Sequence, residues 1–293
     1  MSPKVSVCIL TWNHVNYIEQ CLLSLNSQTF QDFEVLYLDN ISTDGTYEKA
    51  LEILASSQFS YRVFKNESPQ SIPVNLNKLI KEAKGKYVAL ISGDDWFTPN
   101  CLFEKYKYFE SVQNVGLLFS GGWYYYEDTG AMEELNTSKF SKGKVFELLL
   151  VENFVFAPGI FLNKKIFETV GSFDENLKIE DYDMWLRVAM KYEIDFIDKP
   201  LVYYRRHSNN FSQYKNIDFI EDHIKMYRKY IPQNRKIAKK RISYWTRQYL
   251  WEMIIQRKPT KMTIKAFINY FIFDKGYFRM IISFLVRKTG IKG

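Results

Sequence analysis

Tyr87-Val88-Ala89-Leu90-Ile91 runs straight into Ser92-Gly93-Asp94-Asp95-Trp96. An unbroken apolar run of this length reads as a strand buried on both faces, here ending at an acidic turn. Working outward, the same unit recurs. Val5-Ser6-Val7-Cys8-Ile9-Leu10 is another such run, Phe33-Glu34-Val35-Leu36-Tyr37-Leu38 a third that ends at Asp39, and Tyr61-Arg62-Val63-Phe64 a short fourth. Helix signals separate them. Ile18, Cys21, Leu22 and Leu25 recur at helical spacing, Thr46 to Ala55 is a second helix, and Pro73 opens a third that Gly85 closes. Strands alternating with helices predict parallel pairing in a doubly wound α/β sheet. Ligands bind such sheets beyond the carboxyl ends of the strands, and Asp39 and Asp94 both fall there.

The section from about 101 to 214 is mixed. Pro99 to Glu110 and Asp181 to Met190 read as helices. Val115 to Ser120, Trp123 to Tyr126 and Val202 to Arg206 read as strands, and Phe154 to Leu162 as an extended segment broken by Pro158-Gly159. Residues 215–293 read only as helices, at about 217–230, 235–256, 261–273 and 277–288.

Of the 293 residues, 46% are hydrophobic and 25% charged, which is enough for a substantial core. Cys8, Cys21 and Cys101 match no metal spacing, and buried thiols in a reduced, cytoplasmic protein are expected. No signal peptide is expected before Val5, and no apolar stretch reaches the ~20 residues that span a bilayer. Charge is uneven. Residues 1–214 carry 21 Lys and Arg against 28 Asp and Glu, net −7, whereas residues 215–293 carry 19 against 5, net +14. Such asymmetry asks for an acidic surface as partner.

Four constellations carry chemistry. Adjacent carboxylates at Asp94 and Asp95 repel unless a cation neutralises them, and Mg²⁺ or Mn²⁺ binds through one or two carboxylates plus phosphate oxygens. Gly93 permits close backbone approach to a ligand. The alternative is a solvated turn capping the next helix. Asp39 is either a turn residue or a nucleoside contact, with Thr11-Trp12-Asn13 placed to flank a base; Trp12 in isolation reads as core. Asp181 and Asp183 stand in the first turn of a helix whose inward face is Trp185, Val188 and Ala189. Dipole capping explains both acids; the other possibility is that Asp181 is a general base, ionised at an ordinary pKa of ~3.9. In Tyr204-Arg205-Arg206-His207, His207 is a structural histidine or a metal or phosphate contact. No Gly-x-Gly-x-x-Gly, Walker loop or nucleophile elbow occurs, which argues against dinucleotide oxidoreductases, P-loop kinases and serine hydrolases.

Together these stretches resemble glycosyltransferase family 2, the inverting enzymes of the GT-A fold. Val5 to Asn13, Leu36 to Asn40 with Ser42-Thr43-Asp44-Gly45-Thr46, Ala83 to Tyr87 with Ser92-Gly93-Asp94-Asp95, Gly171-Ser172-Phe173-Asp174-Glu175 with Glu180-Asp181-Tyr182-Asp183, and Tyr204 to His207 occur in that family's order over about residues 4–212. The resemblance implies a GT-A mixed sheet with a Rossmann-like nucleotide-sugar-binding half (1–100), an acceptor-binding half (101–214) and a basic, aromatic-rich helical extension (215–293). Asp39 would bond the uracil of a UDP-sugar, with Leu10, Thr11, Trp12 and Asn13 around the base and Gly93 and Asp94 at the donor. Asp94, Asp95 and His207 would hold Mn²⁺ or Mg²⁺ or its diphosphate, and Asp181 would be the base. A hydroxyl of a glycan or lipid-linked acceptor would then attack with inversion, in synthesis of a bacterial surface polysaccharide. Ser92, Leu10 and Val74 depart from the family's usual Asp, Pro and Arg. A dTDP- or GDP-sugar donor, or a binding protein that kept the fold alone, are the alternatives. The basic tail is expected on an anionic membrane at the inner face of the plasma membrane, or as a helical cap or oligomer interface. No reader motif supports nucleic acid as its partner.

Overall fold

The computed structural model describes residues 2–208, 210 and 217–255. Two compact units divide the chain, residues 1–213 and 214–293.

The first unit is built on one mixed sheet. Its leading part comprises β1 (Val5–Thr11), α1 (Ile18–Asn26), β2 (Phe33–Asp39), α2 (Thr46–Ala55), β3 (Ser60–Lys65), α3 (Ile72–Glu82) and β4 (Tyr87–Ser92). Their order is β3-β2-β1-β4, all parallel. The chain winds outward from β1 through β2 to β3, then returns to β4 on the other side of β1. That reversal opens a crevice past the carboxyl ends of β1 and β4. β2 is buried at every residue, as expected of a parallel strand covered on both faces.

The rest of the unit adds β5 (Trp96–Phe97), α4 (Cys101–Ser111), β6 (Val115–Tyr126), β7 (Met132–Glu134), α5 (Phe146–Val151), β8 (Ile160–Asn163), α6 (Ile166–Val170), α7 (Glu180–Ala189) and β9 (Glu193–Arg206). The sheet continues from β4 as β8-β6-β9-β5, with β7 beside β6. β8 is antiparallel to both β4 and β6, and β9 is parallel to β6. β4, β6 and β9 therefore all point the same way and end at one rim. α7 runs back against them. Val188 near its end lies beside Gly116 at the start of β6, so its first turn lies toward that rim.

Three expectations need correction. The two strands read over 115–126 are one strand, β6, with register shifts at Gly121 and Gly122. A Cβ on Gly122 would stand 2.5 Å from the Val202 carbonyl oxygen, so the glycines are where β9 presses in, not a turn. Trp12 is not core: it is 61% exposed. The helix expected to close at Gly85 ends earlier, at Glu82 with Ala83 as its cap. The place of Gly85 is set by close packing, since an added Cβ would lie 2.5 Å from the Ser6 nitrogen and 2.7 Å from the Val5 carbonyl carbon.

The second unit contains α8 (Ile217–Lys229) and α9 (Arg235–Ile255), which pack together; His223 stacks on Trp245 at 3.8 Å between ring centroids. The helices expected at 261–273 and 277–288 lie outside the described residues. Cys8, Cys21 and Cys101 are free and buried. No helix among the described residues is long and apolar enough to cross a membrane.

Gly85→Ala should lower unfolding free energy by about 2 kcal/mol, because the obstructing atoms are backbone and cannot rotate away. Urea unfolding checks this, and an unchanged midpoint would refute it.

Candidate active site

The crevice between β1 and β4 gathers most of the residues that the sequence singles out. Leu10 pairs with Ser92, and the Gly93 nitrogen donates to the Leu10 carbonyl at 3.0 Å. A side chain at 93 would stand 2.3 Å from Thr11 Cγ2 and 3.1 Å from His14 Nδ1, so glycine is what lets the acidic turn close on β1.

Asp39 is fully buried at the end of β2, with Thr11 Oγ1 at 3.2 Å and the Ser42 nitrogen donating at 2.8 Å. The turn that follows holds Ile41 at φ 60°, a costly conformation for a β-branched residue. Asn13, at φ 57°, ties the two rim loops together. Its nitrogen donates to Ser42 Oγ and its Oδ1 accepts from the Thr43 nitrogen, both at 2.9 Å. Asp44 accepts from the Val15 nitrogen and from Thr46. Trp12 projects outward from this braced loop.

The two adjacent aspartates divide into distinct roles. Asp94 Oδ2 lies 3.1 Å from His207 Nε2, with Asn210 Nδ2 at 3.4 Å. Asp94 Oδ1 is buried and has no hydrogen-bond partner. Burial pulls the Asp94 carboxyl upward, but the His207 bond and the field of His14 outweigh it, and the net direction is down. Asp95 turns the other way. Its Oδ1 accepts from the Arg205 nitrogen at 3.0 Å. Burial and the Asp94 charge push its carboxyl well above the usual range. Asp94 thus carries the negative charge, and Asp95 braces the turn.

Arg205 was not singled out by the sequence, yet it organises this corner. Its Nε donates to the Asp94 carbonyl at 3.0 Å, and its two Nη atoms reach Glu127 and Gln20. The guanidinium sits 4.7–5.1 Å from the ring centroids of Trp96, Tyr17 and Tyr125. His207, next but one on the chain, stacks on the same Tyr17 at 4.6 Å. His14 was also passed over. Its Nδ1 is buried without a partner, and burial lowers its pKa.

Among the described residues no group of three His, Cys, Asp or Glu side chains is arranged to ligate a metal. The donor set nonetheless fits a cation completed by phosphate oxygens and water: a charged, partnerless Oδ1 on Asp94, with His207 beside it.

Asp181 stands apart, in the first turn of α7, with no hydrogen bond or ion pair to Asp94. Its Oδ1 accepts from the Tyr182 nitrogen at 2.6 Å. Burial raises its pKa, which corrects the expectation of an ordinary carboxyl. Neighbouring Glu180 is raised well above its usual range, by burial first and by the Asp181 charge second. Asp183 stands in the first turn of α7, as expected, and also pairs with Arg187 at 2.9 Å.

Comparison with known proteins gives the family and the fold. The family Glycosyl transferase family 2 matches residues 6–171. An uncharacterized glycosyltransferase of Methanocaldococcus jannaschii is 29% identical over 209 residues, 69% of this chain and 71% of its own length. One of Rickettsia felis is 30% identical over 199 residues, 68% of this chain; the chain spans only about a third of that relative (32%). Among solved structures, S. aureus TarS 1-349 in complex with UDP-GlcNAc superposes with a TM-score of 0.69 at 18% identity, over 91% of this chain and 79% of that one. The mannosyltransferase PcManGT from Pyrobaculum calidifontis, in complex with GDP-Man and Mn²⁺, gives 0.64 at 15%, over 96% and 83%. The fold is that of the GT-A glycosyltransferases. The chain belongs to glycosyl transferase family 2 and is a glycosyltransferase.

Asp94→Asn should weaken Mn²⁺-dependent UDP binding roughly a hundredfold, whereas Asp95→Asn, which keeps an acceptor for Arg205, should stay within about threefold. Calorimetry separates the two, and equal losses would make both ligands. Because folding raises the Asp95 pKa, its stabilising contribution is full at low pH and is lost as pH rises through the folded value. Asp95→Asn should therefore be at least as stable as the parent at pH 8, and its advantage should vanish under acid.

Proposed function

We propose that this protein transfers a sugar from a UDP-sugar to a hydroxyl of a glycan or lipid-linked acceptor, with inversion, in synthesis of a surface polysaccharide. The observation that carries the reading is the partnerless, ionised Asp94 Oδ1 at the switch point of the sheet. Asp94 and His207 would hold Mn²⁺ or Mg²⁺, which would supply a Lewis acid for the diphosphate. The nucleoside lies on the rim loop, with the exposed Trp12 ring on one side and Asp39, which has spare lone pairs, behind Thr11. The UDP-GlcNAc held by TarS supports a uridine donor, while the GDP-Man of PcManGT keeps a GDP-sugar as the alternative.

Asp181 takes the proton of the attacking hydroxyl as the new bond forms. Its raised pKa makes it a stronger base than a free aspartate, so less of the transfer is uphill. The base works only when ionised, so kcat/KM should rise with pH through a value above the ordinary ~3.9 of aspartate. Asp181→Asn should lower kcat at least about a hundredfold and abolish that limb while leaving UDP affinity intact. A donor screen for Mn²⁺-dependent nucleotide release supplies the assay. Full transfer by Asp181→Asn would remove the base assignment, and a screen in which no nucleotide sugar bound would remove the transferase reading for this site.

The tail, net +14 over 215–293, supports peripheral attachment to an anionic membrane. Full-length protein should cosediment with anionic vesicles at low salt and detach as salt rises. Protein left in the supernatant at low salt would exclude this attachment.

A further inference from the structure

We infer that the cavity beside α5 receives the apolar part of an amphiphilic acceptor whose anionic group is read by Arg206. The inference rests on the transferase reading above and names the class of its acceptor.

The cavity measures about 460 Å³, within the size range of small-molecule sites. Tyr124, Phe140, Leu148, Val151, Phe154 and Phe156 give it a mainly apolar wall. Its position follows from the sheet. Tyr124 is near the end of β6, and Phe154 and Phe156 lie in the segment that leads into β8, whose start faces the end of β4. Part of the cavity wall is thus at the end of the sheet where β4 and β6 finish, and part lies over the middle of β6, where Phe140 and Phe154 meet Phe119. On its other side α5 joins α7, since the Tyr182 hydroxyl donates to the Leu149 carbonyl at 2.6 Å, one residue along from Asp181. Leu148 and Val151 are 56% and 45% exposed, apolar groups left in water at the cavity mouth.

Arg206 supplies the second half. Its guanidinium lies 5.4 Å from the Tyr124 ring and 5.5 Å from the Tyr204 ring. Arg205 has a carboxylate partner in Glu127. Arg206 has none among the described residues. A guanidinium held beside two rings without a carboxylate partner has N–H donors available to phosphate or carboxylate oxygens. Tyr124 is both cavity wall and one of the stacking rings, so cation and cavity adjoin. Arg206 and Tyr124 share the face of the β6–β9 pair opposite Arg205 and His207, and the cavity is linked to the proposed base through α5, whose Leu149 carbonyl accepts from Tyr182 beside Asp181. A fitting molecule carries an apolar group for the cavity, an anionic group for Arg206 and a sugar hydroxyl beyond them. A chain-linked phosphate has that form.

The probes are n-octyl phosphate, n-octyl β-glucoside and inorganic phosphate, titrated calorimetrically into the full chain. Octyl phosphate should bind at least about tenfold tighter than either other probe, since a charge-assisted fork and apolar burial act together. Arg206→Gln should bring octyl phosphate to the level of octyl glucoside without moving UDP affinity. Val151→Asp, at an exposed position, should weaken both octyl probes about tenfold by placing a charge at the apolar mouth. Preference for octyl glucoside would make this a neutral-glycan site, and loss of UDP affinity in Arg206→Gln would assign the arginine to the donor; either overturns the inference. An apolar phosphate could also belong to a membrane lipid. Octyl phosphate seated in the acceptor site should slow Mn²⁺-dependent hydrolysis of the donor by shielding the centre from water, and an unchanged rate would overturn the acceptor assignment. Failure of the transferase reading is separate, because it appears as a parent protein that binds no nucleotide with metal.

Discussion

The site depends on one buried cation. Arg205 sits at the end of β9, and its backbone and side chain together hold both halves of the acidic turn. A buried guanidinium is tolerable only with its donors satisfied, and here Glu127, Gln20 and the Asp94 carbonyl satisfy them while three aromatic rings enclose it. The cost of gathering two carboxylates is thereby divided. Asp95 braces the turn with its pKa pushed up by burial and the Asp94 charge, and Asp94, shifted down, has one oxygen on His207 and one without a partner.

The end of β9 and the residue after it make three further contacts. Tyr204 packs tilted against Tyr124, Arg206 lies over both rings, and His207, just past the strand, turns to Asp94. β9 acquires this role because it extends over 14 residues alongside β6 with shifted register at Gly121 and Gly122. Those glycines admit the neighbouring backbone where any larger residue would hold the strands apart. The β6–β9 side of the rim is thus shaped by packing, and the β1–β2 side by the tight loops that follow those strands.

The carboxyl groups of the site illustrate how environment assigns chemistry to identical side chains. Asp94 is lowered by a histidine bond, Asp95 is raised by burial beside a charge, and Asp181 is raised by burial near the start of α7. The same side chain is thus shifted down once and up twice by three different surroundings.

Much of the donor half was legible in the sequence. Apolar runs of five to seven residues between helical periodicities determined that β1, β2 and β4 would be parallel and buried, and hence that Asp39 and Asp94 would reach one rim. That inference works because a strand covered on both faces must be apolar throughout, and a local pattern records it. The union of Val115–Ser120 with Trp123–Tyr126, the exposure of Trp12, the packing reason for Gly85 and the roles of Arg205 and His14 were not legible. Each is decided by residues distant in the chain, such as Val202 against Gly122 or Ser6 against Gly85. Sequence determined which residues could carry the chemistry. Tertiary structure alone decided which carboxylate keeps its charge, because desolvation and a neighbouring cation act through space rather than along the chain.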